Sequence, residues 1–173
     1  RQEPGTSFYY NSMRPQVLSI ILTRSTGCSA RDFAMQRLFG PLGISEVRWP
    51  EVQGHILGSF GLELSTRDLA KIGYLNLNQG RWAGRQILPA EWVAESTRPG
   101  PGDTRPFEGY PQWKQLNGYY GYHWWGMQYA DGSYDFMARG NLGQLIYVAP
   151  RKNMVVVRLG SETDSNVIWS FVV

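Results

Sequence analysis

Apolar positions in this chain follow helical spacing through the first half and alternate like strands in the second. Val17-Leu18-Ser19-Ile20-Ile21-Leu22 is apolar on nearly every side and predicts a buried helix. Ser12 can cap it, Pro15 is tolerated in its first turn, and Gly27 closes it. Ser29-Ala30-Arg31-Asp32 reads as a capping box that opens a helix to about Phe39, stopped by Gly40-Pro41. Residues 43–61 carry Gly54, Gly58 and Gly61 and read as irregular. A second capping box, Ser65-Thr66-Arg67-Asp68, precedes Leu69, Ile72, Gly73 and Leu77 on one helix face. Pro89 suits the start of a short helix that ends before Pro99. The stretch 99–118 is rich in Pro and Gly and predicts a long surface loop.

From Tyr119 onward the pattern predicts strands: an aromatic one over Tyr120 to Gln128, then a turn at Asp131-Gly132. Another covers roughly Gln144 to Ala149, and Pro150-Arg151-Lys152-Asn153 turns the chain into a third, Met154 to Leu159. Thr163 or Asp164 could cap a last helix. Helices first and an antiparallel meander last predict an α/β or α+β architecture, an antiparallel sheet flanked by helices. The 173 residues suffice for a single domain with a real core, and no internal repeat divides them. Arg1 stands directly against a motif and the chain stops inside the apolar run Val167 to Val173, so it reads as one domain incomplete at its N-terminus.

Composition narrows the function classes. Aromatic residues reach 14%, enough to supply both a core and a cleft wall. Net charge is +3, from scattered arginines and three lysines, Lys71, Lys114 and Lys152, with no basic stripe of the kind nucleic acid requires. His55 and His123 stand far apart, Cys28 is the single cysteine, and neither disulfide nor metal-ligand spacing is present. No run approaches the roughly 18 apolar residues of a membrane span. Compartment and oligomeric state leave no mark on the sequence.

The informative feature is an ordered set of short motifs. Pro4-Gly5-Thr6-Ser7-Phe8-Tyr9-Tyr10-Asn11 is followed by Gly61-Leu62, Ser65-Thr66-Arg67-Asp68-Leu69-Ala70, Gly80-Arg81-Trp82 and Ile87-Leu88-Pro89. Trp92-Val93, Gly121-Tyr122-His123-Trp124-Trp125, Gly140-Asn141-Leu142-Gly143-Gln144 and Tyr147-Val148 with Pro150 complete it. In this order the set resembles the serine β-lactamase-related family: class C β-lactamases, DD-peptidases, and the branch that includes 6-aminohexanoate-oligomer hydrolases. The resemblance covers nearly the whole chain and implies a β-lactamase/transpeptidase-like fold, a small-molecule amide or ester substrate, an acyl-enzyme, and no cofactor.

The resemblance also implies residue roles. Tyr9 and Asn11 align with the family's Tyr-x-Asn motif. A phenol can take or relay a proton only if neighbouring cations or a network favour it, and an Asn amide can hold a lysine and a substrate carbonyl together. Asn141-Leu142-Gly143-Gln144 falls where the family has Lys/His-Thr/Ser-Gly on an inner strand. Gly143 leaves room for substrate, and the Gln144 N–H would be one oxyanion donor. Asn141 stands in place of a cation and Leu142 in place of a hydroxyl, which points away from penicillins and toward uncharged amides or esters. Arg139, two residues along the strand, would share a face with Asn141 and could restore the charge. The family's nucleophile motif, Ser-x-x-Lys, is absent: residues three before the lysines are Asp68, Pro111 and Ala149. A non-catalytic homologue that binds a ligand is the alternative reading. Trp124 and Trp125 are candidate cleft walls, of which a strand would turn one into the core.

Overall fold

In the computed structural model, residues 8–100, 113 and 115–161 are described. The chain forms two compact units, one of Tyr9–Asp68, the other of Leu69–Val173 joined by Arg1–Phe8. The Pro4-Gly5-Thr6 turn, the helix expected from Thr163 or Asp164 and most of the expected 99–118 loop lie outside the described residues.

The first unit holds α1 (Met13–Thr26), α2 (Ala30–Ala34) and a hairpin of β1 (Glu51–Val52) and β2 (His55–Ile56). The Ser29 capping box forms as expected. Ser29 Oγ accepts the Asp32 N–H at 3.0 Å and donates to its carboxylate at 2.7 Å. The helix widens over Met35–Phe39 and ends where the Gly40 N–H reaches the Met35 carbonyl at 2.9 Å. The core of this unit is Ala30, Phe39, Leu42, Ile44, Val47 and Ile56. The hairpin replaces the irregular stretch expected there. Gln53 and Gly54 both adopt positive φ, 52° and 77°, the geometry of a two-residue turn between antiparallel strands.

α1 corrects an expectation. It was predicted buried, yet Ser19 is its only buried residue, and Met13, Val17, Leu18 and Ile21 are exposed. The most buried position on its inward side is polar. Ser19 Oγ donates to the Ile56 carbonyl at 2.8 Å; the Gln16 amide donates to the same carbonyl at 3.1 Å and accepts the Gly58 N–H at 2.9 Å. Hydrogen bonds to a strand end help seat this helix, beside the half-buried Ile20 and Leu22. Its cap also differs: Ser12 makes no side-chain cap, and Asn11 Oδ1 accepts the Met13 N–H at 2.6 Å instead.

The second unit is built on a five-stranded antiparallel meander in chain order: β5 (Gly118–Tyr120), β6 (Trp125–Gln128), β7 (Tyr134–Arg139), β8 (Leu145–Ala149) and β9 (Met154–Arg158). α3 (Thr66–Leu77), the hairpin β3 (Arg81–Trp82) and β4 (Arg85–Gln86), and α4 (Ala90–Thr97) precede it. The expected aromatic strand over Tyr120–Gln128 is in fact two. The chain reverses at Gly121–Trp124, where His123 has φ 66° and the Gly121 N–H bonds the Trp124 carbonyl at 2.8 Å. β7, whose Tyr134-Asp135-Phe136-Met137 mixes both faces, was not anticipated as a strand.

Alternation along the sheet sorts its two cores. Leu69, Ile72 and Leu77 of α3 pack on Phe136, Ile146 and Val148, as their spacing predicted. The helix approaches so closely at Gly73 that a Cβ there would sit 2.5 Å from Val155. The opposite face carries Trp113, Trp125, Met127, Met137, Leu145, Tyr147 and Ala149. Trp113, from the stretch read as surface loop, is buried and stacked on Trp125 with ring centroids 5.1 Å apart. Trp124 and Trp125 take opposite faces as a strand requires. Trp124 meets Phe136 edge-on at 5.2 Å.

Candidate active site

The sequence-predicted site residues fall in both units. Tyr9 and Asn11 belong to the first, and Asn141, Gly143 and Gln144 to the second. In the first unit, Tyr9 is 66% exposed and enters α1 two residues ahead of Asn11. The Asn11 carbonyl oxygen is committed to the Met13 N–H, which leaves its NH2 group as the outward donor. The same bond predicts that Asn11→Ala lowers the stability of the chain by about 1 kcal/mol, while Asn11→Asp holds it. Urea midpoints of the two variants check this.

In the second unit the motif lies between β7 and β8, and its form differs from expectation. Asn141–Gly143 is a single tight turn rather than strand, and β8 begins only at Leu145. Leu142 has φ 59° and Gly143 φ 79°, so two consecutive residues are left-handed and neither can extend a strand. Arg139 and Asn141 therefore do not share a strand face. Arg139 ends β7 with its guanidinium over the Trp113 ring, 5.4 Å from the centroid. Asn141 and Leu142 are exposed at the turn; Gly143 is buried.

Two residues hold this turn. The Gln144 amide donates to the Gly160 carbonyl at 2.5 Å and accepts the Gly160 N–H at 3.1 Å, so the side chain is spent on the end of β9. Its backbone N–H reaches the Asn141 carbonyl at 3.4 Å, a long bond that leaves much of the donor strength unused. Arg158 Nη1 donates to the Gly143 carbonyl at 2.8 Å and approaches the Leu142 carbonyl at 3.5 Å. Sequence reasoning missed Arg158. The signal was there: counting outward from the Pro150–Asn153 turn pairs Ala149 with Met154, and four steps on pairs Leu145 with Arg158. A cation thus stands behind the turn, bound to its carbonyls rather than facing outward from position 141.

The strand that leads to this turn carries a second polar group near its start. Asp135 on β7 is 1% exposed and accepts hydrogen bonds from Tyr129 at 2.7 Å and from Tyr147. Burial first, and then the carboxylate, push both phenols above the usual tyrosine range. Arg151 lies over the Tyr129 ring at 4.6 Å. Among the described residues no group of three or more His, Cys, Asp or Glu could hold a metal, and no helix is long and apolar enough to cross a membrane.

No protein-family model matches the chain. It is 27% identical over 167 residues to the 6-aminohexanoate-dimer hydrolase of Paenarthrobacter ureafaciens, covering 95% of this chain and 42% of that protein. A solved structure assigned as a 6-aminohexanoate-dimer hydrolase from Bacillus anthracis superposes with a TM-score of 0.78 at 28% identity, over 98% of this chain and 42% of the other. A structure assigned as a β-lactamase from Bacteroides dorei gives a TM-score of 0.66 at 18% identity, which is a likeness of fold alone. The fold is that of β-lactamase-like hydrolases. The chain is thus similar to 6-aminohexanoate-dimer hydrolases along nearly its whole length. It spans 42% of the length of the curated relative.

Proposed function

We propose that the complete protein is a serine hydrolase that opens amide or ester bonds through an acyl-enzyme, and that this chain supplies part of its site. The observation that carries the reading is the family's motif set in unbroken order along a chain that superposes on a 6-aminohexanoate-dimer hydrolase structure over 98% of its length. In this reading Tyr9 relays the proton of a serine that this chain lacks, and the Asn11 NH2 group holds a substrate carbonyl. The Gln144 N–H, weakly engaged at 3.4 Å, is the oxyanion donor; a developing oxyanion is a stronger acceptor than the Asn141 carbonyl it would replace. Gly143 keeps the approach to that N–H clear. With Asn141 and Leu142 in place of a cation and a hydroxyl, the substrate suited to the turn has no charge beside its scissile bond. A linear amide of the kind named for the relatives meets that description.

An acylating serine probe separates this reading from its alternative, a binding homologue without turnover, which the exchange at Asn141 and Leu142 favours. The 173-residue chain alone is expected to take no label. Full-length protein with Ser-x-x-Lys ahead of Tyr9 is expected to take one label per molecule, at that serine. A full-length protein that stays unlabelled supports the binding homologue, and a labelled serine in the present chain overturns the role assignments.

A further inference from the structure

Away from the Asn141 turn, the second unit holds a cavity of about 490 Å³, a size that takes a small molecule. It opens between the end of α3, the start of α4, the Gly132–Tyr134 segment that enters β7, and the turn after β8. Tyr134 lines it at one end of β7 and Arg139 closes the other end before the Asn141 turn, roughly 17 Å away along the strand. Its walls are Leu77, Val93, Phe136 and the ring of Tyr134. The polar groups among its lining residues have their hydrogens committed elsewhere. Asn76, 7% exposed, donates its amide N–H to the Ile72 carbonyl at 2.9 Å, which fixes the orientation of the amide. Its Oδ1 accepts nothing among the described residues and is left open to the cavity. Thr97, also buried, donates its hydroxyl to the Val93 carbonyl at 2.7 Å. The Tyr134 hydroxyl stands 3.5 Å from the Thr97 oxygen, where the phenol alone has a hydrogen to give. Ser133 Oγ donates to the Asp131 carboxylate at 2.5 Å. What remains to Thr97, Tyr134 and Ser133 is lone pairs, and Asn76 keeps both lone pairs of its carbonyl oxygen.

Charge points the same way. α3 reaches the cavity with its carbonyl end, the negative pole of the helix, and no basic residue stands in its last turn. Glu91, exposed in the first turn of α4, adds a carboxylate with no ion pair among the described residues. Arg151 also lines the cavity, but its guanidinium is met elsewhere, over the Tyr129 ring at 4.6 Å and 3.9 Å from the Asp131 carboxylate. We propose that this cavity is a second ligand site and takes a primary ammonium on a short apolar chain. The chain lies against Leu77, Val93 and Phe136, and the ammonium donates to the oxygens of Asn76, Thr97 and Glu91. A carboxylate of the same length would set its oxygens against lone pairs, and an alcohol would bring one hydrogen where the ammonium brings three. The site stands apart from the function proposed above, because it shares no residue with the candidate active site.

The test titrates pentylammonium, pentanoate and pentanol, equal in chain length, into the isotope-labelled chain at neutral pH and follows its backbone amides by NMR. The ammonium should shift the amides of Asn76, Val93, Thr97 and Gly132, and bind about tenfold more tightly than either of the other two. Glu91→Gln changes an exposed side chain and should weaken the ammonium by about threefold, the worth of an exposed ion pair. Arg151→Gln should not weaken it. Pentanoate binding as tightly as the ammonium would show a site for anions and overturn the proposal. Equal binding of pentanol would overturn it too, since the acceptors would then select nothing. Shifts confined to Tyr9–Asn11 or Asn141–Gln144 would place the ligand elsewhere, and unchanged affinity in Glu91→Gln would remove the carboxylate from the site; either result overturns the assignment. So does the absence of any shift by about 10 mM ammonium. Turnover is not read at any point, so the outcome is the same whether or not the complete protein is a hydrolase.

Discussion

Replacing Asp135 with Ala should lower the stability of the chain by about 3 kcal/mol, far more than an ordinary surface change. The carboxylate is 1% exposed on the central strand β7, and one of its oxygens takes both tyrosine hydroxyls. Removing it leaves the buried Tyr147 hydroxyl and the partly buried Tyr129 hydroxyl without their acceptor and opens a small cavity, the buried donor and the cavity each worth about 1–3 kcal/mol. The tyrosines can recover part of the loss by bonding each other. Asp135→Asn keeps the shape and one acceptor, so its loss should be smaller, about 1 kcal/mol. Among the described residues the other carboxylate oxygen is buried without a hydrogen-bond partner. In a chain of this size 3 kcal/mol corresponds to a fall of roughly 6–12 °C in melting temperature. A thermal scan showing Asp135→Ala within 2 °C of the parent, by an estimate of about 0.5 kcal/mol, would mean the network is not held in solution.

The same network fixes a pH dependence. Tyr147 and Tyr129 have their pKa raised above the ordinary 10.0, so the folded chain keeps protons that the unfolded chain releases. The stability they contribute is fully present below pH 10.0 and is lost as pH rises above it. Urea midpoints across that range should fall.

Much of the fold could be read because its signals are local. Both Ser-x-x-Asp capping boxes form, since the hydroxyl and carboxylate that close each lie within one turn. The α3 face was legible because Leu69, Ile72 and Leu77 repeat at helical spacing and meet one sheet face. The misreadings share a cause, which is dependence on a distant partner. α1 is apolar enough to predict burial, yet which face turns inward is decided by the Ile56 carbonyl some forty residues away. β5 and β6 merged because Gly121-Tyr122-His123-Trp124 is aromatic like a strand, while the reversal rests on a left-handed His123. β7 was missed because Asp135 interrupts its apolar face, and only the two tyrosines make that carboxylate tolerable.

The candidate site divides in the same way. The motif residues Tyr9, Asn11, Asn141, Gly143 and Gln144 could be named from order alone. What each does locally could not: Asn11 caps α1, the Gln144 side chain is spent on Gly160, and the turn is backed by Arg158. None of those bonds is implied by Tyr-x-Asn or by the Asn-Leu-Gly-Gln run. The Arg158 pairing required following the β8–β9 register through five residue pairs.

On the function proposed above, Asn141→Lys in the full-length protein should shift preference toward substrates with a carboxylate beside the scissile bond by about tenfold in relative kcat/KM. An exposed ammonium at the turn would make a charge-assisted hydrogen bond worth about 1.5–3 kcal/mol, and 1.4 kcal/mol is a factor of ten. The nearby cations do not pre-empt it, because Arg158 is bound to the Gly143 carbonyl and Arg139 lies on Trp113. Neutral esters should gain nothing, since they carry no charge for the new cation to meet. Leu142→Thr is the poorer variant for restoring the family's hydroxyl. At φ 59° a β-branched side chain is strained, and the turn would move with it. The comparison is therefore wild type against Asn141→Lys, each assayed on a neutral ester and on its carboxylated analogue. An unchanged ratio in a folded, active variant would mean that position 141 does not face the substrate, and that the cation serving this turn is the one behind it, Arg158.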